Sequence, residues 1–211
     1  MRKITALRQQ KKNPERVNVF LDGTFAFGLA LEAAAGLRVD QELSEEEIVA
    51  LQDEDTFFRA RAAAVNLLSY RPRSTDEIYQ RLKRKGYEEA LLERVLAHLE
   101  NVGLLDDATF ARYWIEQRAT FKPRSLMALR QELRQKGVSR RIVDKALSEV
   151  DEAELARAAA QKRAGRLHGL PYDEFAQKLG RYLQQRGFGY GLVRETVAAA
   201  WHELSHEQEN S

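Results

Sequence analysis

The stretch FKPRSLMALRQELRQKGVSRRIVDKALSEV, residues 121–150, decides the fold because versions of it occur on both sides in the same chain. When Gly137 is placed over Gly86 and Gly187, which lie about fifty residues away in each direction, no gap is needed across the neighbouring positions. A basic residue precedes each glycine and a leucine lies four residues before it. The chain therefore contains three copies of one unit.

A fixed period with helical patterning predicts tandem helical modules. Pro72 and Pro123 interrupt the first two copies after one helix, and the repeated glycine ends the next, so each copy holds three helices. The predicted fold is mainly α, with tandem three-helix repeats in an elongated curved array. The predicted modules are 1–55, then repeats at 56–105, 106–151 and 152–206, followed by a frayed tail at 207–211.

The first 55 residues differ from the repeats. Alternating apolar residues on both sides of Asp22-Gly23 predict a β-hairpin, with a third strand as an option. Helices are predicted at Leu29–Ala35 and after Ser44, where Glu47 completes a capping box. The acidic stretch 41–55 is interpreted as solvated, and the first repeat is predicted to begin with a new helix at Thr56.

Composition narrows the function classes. The chain has 34 basic and 32 acidic residues, a formal net charge of +2, and no cysteine. Disulfides and thiolate zinc sites are therefore excluded. No apolar run reaches the length of a signal peptide core or of a membrane span. These features predict a cytoplasmic protein without a membrane partner, and nothing in the pattern indicates more than a monomer.

The charges are unevenly distributed. Between Arg118 and Arg141 the chain has eight basic residues against Glu132 alone, and the second helices are predicted to be basic and the third helices acidic. A positive stripe suits a partner of negative charge. The alternative is that these are solvated faces that steady neighbouring helices. The predicted partner- or DNA-binding residues are Arg71, Arg73, Arg81, Arg84, Lys85, Lys122, Arg124, Arg130, Arg134, Lys136, Arg140 and Arg141.

Three motifs resemble catalytic or ligand sites. His202-Glu203-Leu204-Ser205-His206 matches the zinc-peptidase pattern, but it lies at the end of the chain without a third ligand nearby. The glycines of residues 187–191 fall at the inter-helix turn of the third repeat and lack the Lys-Ser/Thr of a phosphate loop. Asp106 and Asp107 stand where they would cap a helix. The sequence predicts no catalytic residue, metal or cofactor.

The chain resembles the RecX family, the bacterial regulators of the RecA recombinase. The resemblance rests on Gly103-Leu104-Leu105-Asp106-Asp107 followed by Phe110-Ala111, on the Pro-Arg-Ser at the start of each of the first two second helices (Tyr70–Ser74 and Phe121–Ser125), and on Lys136-Gly137. It covers about residues 57–204. The third repeat departs from it, because Tyr172-Asp173 and Phe175 replace the Pro-Arg and the serine.

The resemblance implies a non-enzymatic modulator, expected to be an inhibitor, that lies in the groove of the RecA filament on single-stranded DNA. It would restrain ATP hydrolysis and strand exchange during recombination and DNA repair. The alternative from another class is a direct DNA-binding protein, because three-helix units with basic helices resemble helix-turn-helix proteins. Single-stranded and double-stranded DNA both stay open as partners.

Overall fold

The computed structural model describes the backbone of residues 1–209 and the side chains of residues 1–205. Within them are ten α-helices and four strands, which confirms a mainly helical chain with a small N-terminal strand module. The chain forms two compact units. The first comprises Met1–Arg71 and Ile78–Leu105, and the second comprises Pro72–Glu77 together with the chain from Asp106 onward.

The N-terminal module is an antiparallel sheet of four strands: β1 (Arg2–Gln10), β2 (Asn13–Leu21), β3 (Thr24–Ala30) and β4 (Glu42–Leu43). Their order is β3-β2-β1-β4. Asp22 and Gly23 have φ values of 52° and 85°, which is the turn that favours Asp-Gly in two-residue hairpins. The predicted hairpin is confirmed. A short helix, α1 (Leu31–Ala34), follows β3.

Helix α2 (Glu45–Tyr70) is continuous over 26 residues. The prediction of a separate helix beginning at Thr56 was wrong, because no proline or glycine lies between Glu45 and Tyr70 to break it. Ser44 and Glu47 form the predicted capping box.

Asp55 is an exception to the solvated interpretation of residues 41–55. Its residue surface is only 6% exposed. Both carboxylate oxygens accept hydrogen bonds from the Arg16 guanidinium at 3.0 Å, and one of them also accepts from the Ala30 backbone N–H at 2.7 Å. The charge of Asp55 is thus satisfied by strand residues, and for Asp55 the solvated interpretation was wrong.

The first repeat continues through α3 (Thr75–Lys83) and α4 (Glu89–Asn101). The three helices of this repeat pack into one apolar cluster. It contains side chains of α2, Ile78 and Leu82 of α3, and Leu92, Val95 and Leu99 of α4. Leu105 closes this cluster at the end of the repeat.

The second repeat consists of α5 (Asp107–Phe121), α6 (Leu126–Gln135) and α7 (Arg140–Leu147). The third consists of α8 (Glu152–Ala164), a 3-10 turn (Gly165–Leu167), α9 (Tyr172–Gln185) and α10 (Tyr190–Glu209). Both repeats contribute to a single apolar core, in which Phe110 and Leu129 of the second join Phe175 and Leu179 of the third.

The limits predicted for the individual modules stay predictions. The predicted frayed tail, 207–211, lies outside the residues whose side chains the structure describes. No helix of the described chain combines the length and the apolar character that a membrane span requires.

Candidate partner-binding face and inter-repeat joints

The twelve predicted binding residues are divided between the two units. Arg71, Arg81, Arg84 and Lys85 belong to the first unit, and the other eight belong to the second. Their exposure also differs. The exposed members are Arg81, Arg84, Lys85, Lys122, Arg130, Arg134, Arg140 and Arg141, whereas Arg71, Arg124 and Lys136 are half-buried and Arg73 is buried.

Three exposed arginines of the second unit line one groove, and a fourth, Arg141, follows Arg140 in the chain. Arg130 and Arg134 are one turn apart on α6, and Arg140 and Arg141 begin α7. Arg130, Arg134 and Arg140 line a depression together with Val143 and Asp144 of α7. We call this surface, formed by Arg130, Arg134, Arg140, Val143 and Asp144, the basic groove.

Asp144 is the acidic residue of the basic groove. Its carboxylate accepts hydrogen bonds from Arg130 Nε at 3.1 Å and from Arg140 Nε at 3.4 Å. The Arg130 hydrogen bond, followed by that of Arg140, holds the pKa of Asp144 below its usual value. One carboxylate faces several guanidinium groups, so the groove retains positive charge and its arginines have donors left for an anionic partner.

The structure corrects the predicted position of two arginines. Arg140 and Arg141 were counted with the basic second-helix segment, and the third helix of this repeat was predicted to be acidic. They instead form the first turn of α7, which contains three basic residues and only Asp144 as an acid. The acidic description holds for α4 of the first repeat.

The Pro-Arg-Ser motif of the first repeat forms a joint with the second repeat, within the second unit. Ser74 Oγ donates to the Lys136 carbonyl at 2.6 Å and accepts from Glu77 N–H at 3.2 Å. Lys136 Nζ contacts Glu77 Oε1 at 2.7 Å, and the Thr75 N–H donates to Asp107 Oδ1 at 2.9 Å. We call these contacts the first joint.

The same arrangement recurs where the second repeat meets the third. Ser125 N–H donates to the Arg186 carbonyl at 3.1 Å, and Arg186 Nη1 donates to the Pro123 carbonyl at 3.3 Å. Leu126 N–H donates to Glu152 Oε1 at 2.9 Å. In this second joint, as in the first, a helix N-terminus rests on the basic-glycine turn and on an acid at the start of the next repeat.

The joint explains the glycine after the basic residue. Gly137 has φ +78°, and a Cβ built on it would lie 2.3 Å from Asp76 Cβ. A side chain at residue 137 would therefore be strained and would also clash with the helix N-terminus on the turn. Gly86 has φ +86° but no atom of the described residues within 4 Å of a Cβ there.

A cluster of charges and rings holds the second repeat together beside the first joint. Glu132 Oε2 accepts from Trp114 Nε1 at 2.8 Å and from Arg118 Nε at 2.7 Å, and Arg124 Nε lies 3.2 Å from Glu132 Oε1. Lys136 Nζ lies 5.1 Å from the Trp114 ring centroid. Glu132, the single acid of the basic segment, thus neutralises part of its charge.

Asp106 caps α5, as its position suggested, whereas Asp107 lies in the first turn of α5 and caps a different helix. Asp106 accepts from Ala108 N–H at 2.8 Å and from Thr109 Oγ1 at 2.6 Å, and these bonds lower its pKa. Asp107 caps α3 through Thr75. Burial raises the pKa of Asp107, against the lowering effect of the bonds from Thr75.

The remaining motifs have structural positions. Phe188 is buried, and Gly187, just after α9, has φ +91°. Residues 187–189 form the predicted inter-helix turn, whereas Tyr190 and Gly191 already belong to α10. His202 and Glu203 are exposed on α10, and His206 lies outside the residues whose side chains are described. Within the described residues, no group of three metal-ligating side chains comes together.

Comparison with known proteins agrees with this architecture over most of the chain. Family models described as the first, second and third three-helix domains of RecX match residues 60–99, 106–147 and 149–197, and a model of the regulatory protein RecX N-terminal domain matches residues 2–44. The chain belongs to the RecX family. The proteins of this family are regulatory proteins.

Individual RecX proteins align over nearly the full length. The regulatory protein RecX of Clostridium botulinum strain Alaska E43 is 31% identical over 207 residues, covering 95% of this chain and 97% of the relative. The RecX of Bacillus licheniformis is 31% identical over 212 residues, covering 98% and 79%. A crystal structure of regulatory protein RecX has a TM-score of 0.73 at 29% identity and covers 92% of this chain and 98% of its own.

The joints were missed by sequence reasoning, although a signal for them existed. All three repeats of this RecX-family chain have the basic-glycine turn, whereas Pro-Arg-Ser occurs only in the first two. Each unit of a tandem array contacts its neighbours, so a motif shared by the two repeats that are followed by another repeat is a candidate for that contact. Ser74 and Ser125 take part in the two joints, whereas Phe175 replaces the serine in the third repeat.

Proposed function

We propose that this RecX-family chain binds in the groove of the RecA filament on single-stranded DNA and restrains its ATP hydrolysis and strand exchange. The observation that carries the proposal is the basic groove, where exposed arginines of two helices surround the single carboxylate of Asp144. Surface arginines that retain free donors suit carboxylates and phosphates alike. The filament presents both kinds of group.

The proposed mechanism is binding without chemistry. A chain that bridges successive filament subunits stabilises the filament state whose subunit spacing fits the chain. ATP hydrolysis falls because the proposal takes that state to be the less active one. The protein would act as a cytoplasmic monomer without a cofactor and without enzymatic activity. The predicted basic residues outside the groove, such as Arg81, Arg84 and Lys85 of the first unit, would add electrostatic attraction.

The test is RecA ATP hydrolysis on single-stranded DNA, titrated with the protein. A variant with Arg130, Arg134, Arg140 and Arg141 changed to Ala should need a concentration at least about tenfold higher for the same inhibition, because several anionic contacts are lost together. Unchanged hydrolysis at stoichiometric amounts of the wild-type protein would contradict the proposal.

A matched control removes the same number of charges from the third repeat. Arg157, Lys178, Arg181 and Arg194 are exposed basic residues of the second unit outside the basic groove. Changing these four to Ala alters the net charge equally and should leave inhibition nearly as in the wild type. An equal loss in both variants would show that overall charge, rather than the groove, is responsible.

A second candidate function is direct DNA binding, favoured by the start of α7. In helix-turn-helix proteins the N-terminal residues of the recognition helix contact base edges. The corresponding third helix of the second repeat is α7, and Arg140 and Arg141 lie in its first turn. This candidate requires sequence-dependent duplex binding in the absence of RecA. Equal binding to unrelated duplexes, lost as salt is raised, would leave only a nonspecific electrostatic contact.

A further inference from the structure

An exposed aromatic ring ends the first helix of each of the first two repeats. Phe121 is the last residue of α5 and is 67% exposed, and Tyr70 is the last residue of α2 and is 76% exposed. Each is followed by a cation and a proline, Lys122-Pro123 and Arg71-Pro72. The core of neither repeat uses the ring. Single exposed apolar residues are common, but these two occupy equivalent positions.

The sequence around both rings contains cations and no acid. No acidic residue occurs in residues 62–75 or 117–131. Lys162 of α8 donates through Nζ to the Thr120 carbonyl, next to Phe121, where the C-terminus of a helix favours a cation. Because Arg118 and Arg124 pair with Glu132, the cations left for a ligand near Phe121 are Lys122 and Lys162.

We propose that Phe121 and Tyr70, each within its own unit, stack against bases of single-stranded nucleic acid, while Lys122 and Lys162 beside Phe121 contact its phosphates. An exposed ring beside cations in an acid-free stretch combines the two features that bind single strands: a flat apolar face for a base and positive charge for the backbone. This inference goes beyond the filament proposal, since it requires binding to a bare strand without RecA.

The measurement is binding of a fluorescein-labelled oligothymidine strand, followed by anisotropy over a range of salt concentrations. Phe121→Ala should weaken binding at least about fivefold at every salt concentration, because stacking of a base on an aromatic ring is worth upward of about 1 kcal/mol. The salt dependence should be unchanged. Lys122→Ala should instead reduce the slope of log affinity against log salt by about 0.7. Tyr70→Ala should behave like Phe121→Ala.

Tyr190 provides a matched control. It is an aromatic residue of the second unit with a similar exposure, 73%, but it is flanked by Gly189 and Gly191 rather than by a cation. Tyr190→Ala should leave binding unchanged. If it weakens binding as much as Phe121→Ala does, exposed aromatic surface in general is responsible and the proposed site is wrong.

The ligand can be varied as sharply as the protein. A strand of the same length with abasic positions keeps its phosphates, so the wild type and Phe121→Ala should bind it equally. A duplex, whose bases are already stacked, should show the same insensitivity. A Phe121→Ala defect that persists on the abasic strand would overturn the stacking proposal.

Failure of this inference is distinguishable from failure of the filament proposal. If Phe121→Ala binds the bare strand like the wild type but inhibits RecA less, the ring contacts protein, and the nucleic-acid site is wrong while the filament proposal survives. If strand binding depends on Phe121 but the wild-type protein leaves RecA hydrolysis unchanged, the nucleic-acid site survives and the filament proposal is wrong.

Discussion

The turns at Gly137 and Gly86 have the same backbone and different surroundings. Both glycines follow a lysine at the end of a second helix, with φ values of 78° and 86°. A helix N-terminus bearing Ser74 and Asp76 rests on the turn at Gly137, while the turn at Gly86 has no atom of the described residues within 4 Å of a Cβ position. The same local sequence thus ends a helix in both places and supports a joint in one.

The difference affects how basic residues in repeats should be interpreted. Lys136 and Lys85 occupy equivalent positions, and both were predicted to bind a partner. Lys136 contacts Glu77 at 2.7 Å and lies over Trp114, so part of its charge is used inside the second unit, whereas Lys85 is exposed. Equivalent positions in a repeat can therefore have unequal roles.

The largest expected effect comes from replacing the two glycines. Gly137→Ala should destabilise the protein by about 3 kcal/mol or more, because the left-handed conformation strains any side chain and the new Cβ would clash with Asp76. Gly86→Ala should cost only about 1 kcal/mol, from the backbone strain alone. Urea unfolding followed by far-UV circular dichroism measures both.

Gly187→Ala is the control for this pair. A Cβ there would lie 2.5 Å from Ser125 Oγ, so it should resemble Gly137→Ala more than Gly86→Ala. If the variants at residues 86 and 137 lost the same stability, the joint would contribute nothing beyond the turn itself.

The second expected effect concerns the serine of the first joint. Ser74→Ala removes a buried hydroxyl that donates to the Lys136 carbonyl at 2.6 Å and caps Glu77. The loss should be about 2 kcal/mol, since a capping bond is lost and a carbonyl loses its donor. Ser44→Ala, which removes only the cap of α2, should cost about 1 kcal/mol. Equal urea midpoints for the two variants would contradict this role of Ser74.

Local signals made much of the fold predictable. The Asp22-Gly23 hairpin, the capping box at Ser44 and the helix ends at the repeated glycines depend on neighbouring residues, and the structure has all of them. The long helix α2 was missed because a capping signal and a repeat boundary suggested two helices. Nothing in the local sequence could reveal that Asp55 would be paired with Arg16, which lies 39 residues earlier in the chain.

The candidate site was predicted less completely than the fold. The count of charges along the sequence identified the basic segment. It could not distinguish Arg130, Arg134 and Arg140, which line the groove, from Lys136, which contacts Glu77. That distinction depends on contacts with a segment about sixty residues away in sequence. Burial of Arg73 was likewise not visible in a motif that looks like a binding surface.

The third expected effect separates the two lysines. Lys136→Ala should destabilise the protein by about 1 kcal/mol, because Lys136 pairs with a partly buried Glu77 and lies over the Trp114 ring. Lys85→Ala should leave the urea midpoint unchanged. The difference between them should shrink in high salt, which screens the ion pair. A Lys85→Ala variant as unstable as Lys136→Ala would mean that the turn at Gly86 is also part of a joint.

The smallest expected effect is a difference in pH dependence between Asp106 and Asp107. Hydrogen bonds from Thr109 and Ala108 lower the pKa of Asp106 below 3.8, so its contribution to stability is present above 3.8 and is lost as the pH falls through the lower folded pKa. Burial raises the pKa of Asp107 above 3.8. Its ionisation therefore costs stability as the pH rises from 3.8 through the higher folded pKa.

Substitution by asparagine should reveal these opposite signs. Asp107→Asn keeps an oxygen that accepts the Thr75 N–H and removes the buried charge, so relative to the wild type it should gain stability near neutral pH and lose that gain below pH 3.8. Asp106→Asn should do the reverse and lose stability near neutral pH, because the carboxylate that Thr109 and Ala108 stabilise is gone. Urea midpoints at the two pH values measure both changes. A loss of stability for Asp107→Asn at neutral pH would mean that the first joint needs the charge of Asp107 rather than its oxygen alone.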